Sequence, residues 1–491
     1  MVIFVKRFYV MCYMNNMPTK KVSHQKLEKE LMIKKKSCWE VWDEKTKSKA
    51  FAFAENYKKF LNSSKTENEA VKTGEIMARK NGFKNIADIK SVKAGDKIYF
   101  VQRDKSIIFA RIGKRSLTDG ARIVMSHIDS PHLDFKVTPL YEDENIAFLK
   151  THYYGGIKKY QWPTIALALH GKVYLENGNE VEIVIGEKDS DPVFMITDLL
   201  PHLDRPGGGG SEPKNREVKG EDLNLVVGSL PIKDEKVKEK VKLAVLEYLY
   251  EEYKIKEEDL ASAELQAVPS EKARDLGFDR SMISGYGHDD RICSFSALQS
   301  LLDMKNLEYT SLCIWTDREE IGSDGNTGAR SLFIDMFISN LLKLSGQPSG
   351  INEVFRIFAN SYAISADVTA AVDPDYKEVH DLRNAARLGF GLVFEKYTGA
   401  GGKYSTSEAS AKFISILRKI FNKNGISYQL AGGLGRIDLG GGGTIAKYMA
   451  NRNIEIIDAG VPLFNMHAPL EIASKADLFC AYLGYKAFFE N

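Results

Sequence analysis

Five stretches of the chain carry residues of the kind that bind divalent cations and move protons: His127 with Asp129, Asp289 with Asp290, Glu319 with Glu320, Asp367, and His467. Each follows an apolar, strand-like run or a glycine-rich turn. In α/β sheets ligands gather beyond the carboxyl ends of strands, so imidazoles and carboxylates delivered there suit a pair of divalent ions. His127-Ile-Asp129 places two side chains on the same side of an extended segment, which lets Asp129 hold the far ring nitrogen of a metal-bound His127. One carboxylate of the Asp289-Asp290 pair can bridge two cations, one oxygen on each. Glu319 and Glu320 follow the buried-strand pattern Ser311–Thr316; being adjacent, they point in different directions, so one can ligate metal while the other addresses a bound water. Gly322 lets the backbone turn sharply after them. Taken singly, each motif has an ordinary alternative: a surface His, a salt-bridged turn, acids at a helix N-terminus, an N-cap Asp, a core His. The joint set, all at element ends, favours a dinuclear site.

These residues need a sheet to position them. Short buried strands are predicted at Lys97–Val101, Ser106–Ala110, Arg122–Met125, Thr310–Trp315, Tyr362–Ala366, Leu388–Phe394 and Ile454–Ile457, with helices over Ala329–Leu344, Glu408–Asn422 and Thr444–Ala450. Alternation of this kind predicts an α/β fold with a central mixed sheet flanked by helices. Between about Leu133 and Asp279 the texture changes to short β-like runs (Phe148–Tyr154, Thr164–Leu169, Val173–Leu175, Val181–Ile185) separated by glycines, then a helix over Lys233–Tyr253. The expected organisation is a discontinuous catalytic domain (1–132 and 281–491) carrying an inserted β-rich lobe (133–280). Gly207–Gly210 reads as a surface loop, because a phosphate loop would need a Lys-Ser/Thr partner. A Lys-rich helical stretch is expected from Pro18 to about Asn81.

The chain has 491 residues, so at about 100–200 residues per domain more than one domain is expected. Hydrophobic residues make up 44% and charged residues 27%, values of a globular chain rather than a disordered or collagen-like one. A formal net charge of +2 calls for neither nucleic acid nor a membrane surface. No run reaches the roughly 18 uninterrupted apolar residues of a membrane helix. The apolar segment Val2–Tyr13 contains Lys6 and Arg7 and is followed by no small-residue cleavage site, so it reads as a packed strand or as sequence upstream of a later start at Met14 or Met17. Five cysteines make no disulfide framework, and the expected location is the cytoplasm.

The blocks Ser126-His-Ile-Asp-Ser-Pro131, Asp317-Arg-Glu-Glu-Ile-Gly-Ser323, Ile364-Ser-Ala-Asp-Val-Thr-Ala-Ala-Val-Asp-Pro374 and Gly442-Gly-Thr-Ile445 through Met466-His467 resemble the aspartyl aminopeptidase family of co-catalytic zinc exopeptidases. Asp198-Leu-Leu-Pro-His-Leu203 and Gly220-Glu-Asp-Leu-Asn-Leu-Val-Val-Gly-Ser229 match its inserted lobe. The resemblance implies two zinc ions per subunit, with manganese or cobalt possible on such ligands. It implies that His127 and Asp367 bind one ion, Glu320 and His467 the other, and that Asp289 bridges them. It also implies that Glu319 is the general base of a metal-bridged water, that Asp129 orients His127, and that His202 enters the active site of a neighbouring subunit. The family assembles as dimers packed into a dodecamer, with the inserted lobe mediating dimerisation. The implied activity is removal of the N-terminal residue from a peptide substrate. Family members that prefer acidic residues carry a Lys before the Gly of a Lys-Gly-Pro-Val motif. Here the match is Phe390-Gly391-Leu392-Val393, which implies a neutral or apolar first residue. Two other readings of the same residues are a dinuclear zinc deacylase or deacetylase acting on N-acyl substrates and a non-catalytic scaffold on a peptidase fold.

Overall fold

The computed structural model describes residues 23–33, 36–203 and 217–491. The segments Val2–Tyr13, expected as a packed strand or upstream sequence, and Gly207–Gly210, expected as a surface loop, lie outside the described residues. The chain divides into two units, Met1–Ser37 and Cys38–Asn491. In the first unit, His24–Leu31 is a helix started by the Ser23 side chain, which accepts from the Lys26 N–H, and it buries no residue.

The second unit is organised by a nine-stranded sheet. Its order is Lys84–Asn85, Lys97–Gln102, Ser106–Arg111, Thr310–Thr316, Ala121–His127, Tyr362–Ser365, Glu455–Gly460, Leu392–Glu395 and Tyr428–Ala431. The four strands from Thr310–Thr316 to Glu455–Gly460 run parallel, while the flanking pairs include antiparallel ones, so the sheet is mixed. Strand side chains alternate between faces, and the central strands feed two cores accordingly. Val124, Cys313, Trp315 and Ile364 join one apolar cluster with the helices Glu44–Asn62, Glu67–Lys80, His288–Asp303 and Lys475–Phe489. Ile123, Met125, Leu312, Ile314 and Ala363 join another with Phe333–Leu344 and Ile351–Ala359. Burial of each such side chain is worth roughly 1.5–3 kcal/mol, which is why the strand ends hold one position. The helix Glu67–Lys80 begins with a Thr66/Glu69 capping box and presents Gly74 to the Trp315 ring. A Cβ at Gly74 would lie 2.4 Å from Trp315 Cζ3.

A second sheet of seven strands is antiparallel throughout: Glu180–Ile185, Leu167–Tyr174, Ala263–Pro269, His132–Asp143, Ile146–Tyr154, Leu225–Gly228 and Met195–Ile196. It has its own core around Leu133, Trp162, Leu169 and Leu225, packed against helix Lys240–Tyr253. A third, five-stranded sheet joins Arg274–Leu276, Met282–Gly285, Glu471–Ser474, Pro462–Phe464 and Thr369–Ala370. Among the described residues no helix is long and apolar enough to cross a membrane, and Cys38, Cys293, Cys313 and Cys480 are free and buried.

The elements differ from expectation in three instructive places. The runs expected as Thr164–Leu169 and Val173–Leu175 are one strand, Leu167–Tyr174, that passes through Gly171. That glycine does not end a strand; it admits the neighbouring backbone, since a Cβ there would lie 2.0 Å from Glu264 O. His132–Asp143, at 12 residues the longest strand, was not anticipated. Its pairing with Ile146–Tyr154 shifts register between Phe135 and Leu140, where Pro139 sits, so the period-2 signal is broken. The strand expected from Leu388 starts only at Leu392 because Gly389 and Gly391, at φ 83° and 97°, turn the chain first.

Candidate metal centre

Three neighbouring parallel strands end side by side. Thr316 pairs with His127 and Ser365 with Met125, so the residues leaving these strands emerge at one edge: His127 itself, Asp317–Glu320, and Asp367. Two further elements reach the same edge. Asp289 lies at the N-terminus of the helix His288–Asp303, and His467 follows the strand Pro462–Phe464. The connecting loops hold non-glycine residues in the left-handed region: Arg318 at φ 69° just before Glu319, and His467 itself at φ 66°. Such conformations cost of order 1–3 kcal/mol each and persist where surrounding structure over-determines them, typically at functional sites.

The side chains converge around Asp289. Its Oδ1 is 3.1 Å from His127 Nε2 and its Oδ2 is 3.3 Å from His467 Nε2. Asp367 Oδ1 is 3.9 Å from His127 Nε2, and Glu320 Oε2 is 3.4 Å from His467 Nε2. Two groups of three donors result, His127/Asp289/Asp367 and Asp289/Glu320/His467, with donor atoms within 4.8 Å of one another in each. Asp289 belongs to both groups and offers a different oxygen to each histidine. Asp290 turns elsewhere: its Oδ2 accepts the backbone N–H of His127 at 3.3 Å. The His127 side chain is 1% exposed and that of His467 34%, so the cluster is open on the His467 side.

A second layer fixes this arrangement. Asp129 accepts the backbone N–H groups of Glu319 and Glu320, each at 3.1 Å, and the hydroxyl of Tyr154 at 2.9 Å, while its Oδ1 lies 3.3 Å from His127 Nδ1. The His127 Nδ1 also stands 3.0 Å from the Asp129 carbonyl. His467 Nδ1 faces the Gly156 carbonyl at 2.9 Å. Glu471 receives the backbone N–H of His467 at 2.8 Å and that of Asp289 at 3.0 Å, clamping two members of the cluster with one carboxylate.

Burial dominates the electrostatics. It pushes the carboxyls of Glu320 and Asp367 well above the ordinary range, with neighbouring acids adding to the effect. Burial also pushes Glu319 to about 7; His127 and His467 pull it down, and Asp129 and Asp289 push it up. At Asp289 burial acts in the same direction, but hydrogen bonds from His127 and His467 outweigh it and hold this carboxyl below its usual value. Burial opposes a charge on His467, yet its hydrogen bond to Asp289 and the nearby Glu320 raise the ring to about 10. Glu471 is pushed up to about 8 by burial and by Asp289, against the two N–H groups it accepts.

The donor set fits divalent ions. Glu320 Oε1 is buried without a hydrogen-bond partner, and a buried carboxylate oxygen left so is costly. Two imidazole nitrogens with carboxylate oxygens, in two groups sharing one acid, are ligands of the type zinc takes. His127, Asp289, Glu320, Asp367 and His467 are therefore brought together, with Asp129 and Glu319 beside them. His202 is not: it occupies an exposed turn at Pro201–Leu203. Phe390 lies between Gly389 and Gly391, whose N–H groups are both held by the Asp477 carboxylate at 2.6 Å. Sequence reasoning missed Tyr154, Gly156 and Glu471. A signal for Glu471 existed, a lone acid heading the small apolar run of strand Glu471–Ser474; Gly155-Gly156 was read only as a separator between strands.

A sheet-edge cluster of imidazoles and carboxylates is suited to metal-assisted hydrolysis. The family-wide profile described as Aminopeptidase I zinc metalloprotease (M18) matches residues 60–489. The probable M18 family aminopeptidase 1 of Borreliella afzelii is 45% identical over 461 residues, covering 94% of this chain and 100% of that relative. Among solved structures, the M18 family aminopeptidase of Thermotoga maritima superposes with a TM-score of 0.89 at 45% identity, covering 94% of this chain and 100% of that one. Aminopeptidase I of Clostridium acetobutylicum gives 0.87 at 43%, with the same coverage. A structure described as the S. cerevisiae mApe1 dodecamer shares the fold, with a TM-score of 0.71 at 19% identity. The chain belongs to the M18 family of zinc aminopeptidases.

Proposed function

We propose that this chain removes the N-terminal residue of peptides at a centre of two divalent ions per subunit, with Glu319 as the general base. In this reading His127 and Asp367 hold one ion, Glu320 and His467 the other, and Asp289 both; Asp129 orients His127. The observation that carries it is the division of Asp289, one oxygen toward each histidine. Two zinc ions bound there would supply Lewis acidity, polarising the scissile carbonyl and acidifying the attacking water. Glu319 takes a proton from that water and returns it to the leaving amine. Burial raises this carboxyl above the ordinary range, which favours its holding the proton between the two transfers. The free α-amino group of the substrate pairs with the acids around the cluster, which confines cleavage to the first residue. His202 lies in an exposed turn and is proposed to reach a neighbouring subunit's site and stabilise the developing oxyanion. That role requires a homo-oligomer, proposed as dimers formed through the 133–280 lobe within a catalytic domain of 1–132 and 281–491, packed into a dodecamer. Phe390 in place of the family Lys supports a neutral or apolar first residue, and four free buried cysteines support a reducing cytoplasm.

The membership of the chain among aminopeptidases weighs against the deacylase and scaffold readings. Hydrolysis of aminoacyl anilides over all N-terminal residues, with zinc content measured on the same sample, tests the proposal. Release from N-acetylated substrates alone would replace it with the deacylase reading, and a zinc-loaded protein inert on both sets would end it.

A further inference from the structure

The second layer of the centre is not built by the nine-stranded sheet alone. The strand Ile146–Tyr154 of the seven-stranded sheet ends beside the cluster, and three consecutive residues support it in different ways, Tyr154 through Asp129 and the two glycines directly. The Tyr154 hydroxyl donates to Asp129 Oδ2 at 2.9 Å. Gly155 passes so close that a Cβ there would lie 3.3 Å from Glu320 Cβ and 3.4 Å from its Oε2. Gly156 offers its carbonyl to His467 Nδ1 at 2.9 Å.

Tyr154 is itself held in place. It pairs with His132 across the strands, and the two rings stack with centroids 4.4 Å apart at 17°. His132 is pinned in turn, its Nδ1 2.8 Å from the Ser130 carbonyl and its Nε2 2.9 Å from Asp134 Oδ1. The hydroxyl therefore arrives on a ring that has little freedom to move. Its acceptor, Asp129, ties together both halves of the centre: the ring of His127 on one side, and on the other the turn that carries Glu319 and Glu320.

We infer that Tyr154 is a positioning residue of the hydrolytic centre, acting through Asp129 to fix His127 and the Glu319–Glu320 turn at once. The inference rests on the aminopeptidase reading for its kinetic part only. Tyr154 touches none of the five cluster members, so its effect passes through the carboxylate it donates to. Loss of one hydrogen-bonding partner in the layer behind metal ligands costs about 10- to 100-fold in metal affinity or activity.

The test is Tyr154→Phe in the full-length protein, which keeps the ring and its stack on His132 and removes one oxygen. Zinc affinity, measured by competition with a chromogenic chelator, is expected to fall about tenfold or more. Turnover on an aminoacyl anilide is expected to fall by a similar factor with KM unchanged within about twofold, because the substrate is not contacted. In an Asp129→Asn background the Tyr154→Phe change is expected to add nothing further. Wild-type zinc affinity in Tyr154→Phe overturns the inference. So does a loss of the same size with and without Asp129, which would mean that the hydroxyl acts on substrate or ion directly. A drop in melting temperature of the metal-free variant as large as that of the zinc-loaded one assigns Tyr154 to the fold alone and also overturns it. If wild type itself releases no N-terminal residue, the aminopeptidase reading fails while the chelator competition still decides the role of Tyr154.

Discussion

Asp289→Asn is the sharpest probe of the centre, because only a shared ligand couples two sites through one side chain. The substitution preserves shape and one carbonyl oxygen, removes the negative charge, and puts an amide where one of the two histidines now faces an oxygen at 3.1 or 3.3 Å. At an effective dielectric constant of 20, a unit charge about 4 Å from another is worth about 4 kcal/mol. Loss of one carboxylate charge from beside each ion then weakens binding at each by at least about 4 kcal/mol, roughly a thousandfold. Since Asp289 stands in both donor groups, both ions are affected. The expected result is that zinc stoichiometry, read by plasma mass spectrometry after gel filtration, falls from two per chain to near zero in a single step. Asp290→Asn serves as the control, because Asp290 faces the His127 backbone rather than the donors. A variant at position 289 that retains one tightly bound zinc would refute the shared-ligand geometry, and one that retains both would refute the centre.

Glu319→Gln is expected to keep both ions and the fold while kcat falls about 10²- to 10⁴-fold, the usual contribution of a general base; stopped assays on the metal-loaded variant that show near wild-type turnover would reassign the base. His202→Ala is expected to lower turnover in the assembled enzyme without changing zinc content, and unchanged kinetics would remove His202 from the neighbouring site. Glu395 gives a pH signature outside the His127–His467 cluster. Burial first, and Asp458 after it, push its carboxyl from 4.5 up to about 7 even though the Thr369 hydroxyl donates to it. A raised carboxyl contributes stability that is complete below the unfolded value near 4.5 and is lost as pH rises through about 7. The loss is on the order of 3 kcal/mol. Urea denaturation of wild type between pH 5 and pH 8 should therefore show a decline that Glu395→Gln flattens, and parallel profiles would contradict the assignment.

What could be read from the amino acids follows the reach of each interaction. His127, Asp367 and the Glu319–Glu320 pair were legible because each continues a buried strand, and a strand's apolar run announces its own end. Asp289 and His467 carried a weaker local mark, because His467 follows a three-residue strand and Asp289 starts a helix; their residue types drew notice, and only the resemblance chose Asp289 over Asp290. The strand His132–Asp143 was invisible because Pro139 and a register shift break its alternation. Leu167–Tyr174 was cut in two because Gly171 looks like a breaker when the strand it accommodates, Ala263–Pro269, lies some 90 residues further on. Glu471 and Tyr154 were missed for the same reason: their partners, Asp289 and Asp129, are 182 and 25 residues away. A hydrogen bond from a side chain to a group distant along the chain leaves no period in the sequence, however much it constrains the fold.

The division of labour between the sheets bears on how the centre can vary. The parallel strands of the nine-stranded sheet supply His127, Asp367 and the Glu319–Glu320 turn, and their positions are fixed by two apolar cores that any compact α/β protein would have. The orientation of those side chains comes from elsewhere. Asp129 is completed by Tyr154 and His467 by Gly156, both at the end of a strand in the seven-stranded sheet, and His467 and Asp289 are joined by Glu471 in the third sheet. Excision of the segment between His132 and Pro269 would thus leave every expected ligand in the chain, yet strip one hydrogen-bond partner from each side of the cluster. The remaining carboxylates, already buried and mutually repelling, would have fewer groups to hold them in register. Zinc affinity should suffer from such an excision even where the main sheet still folds.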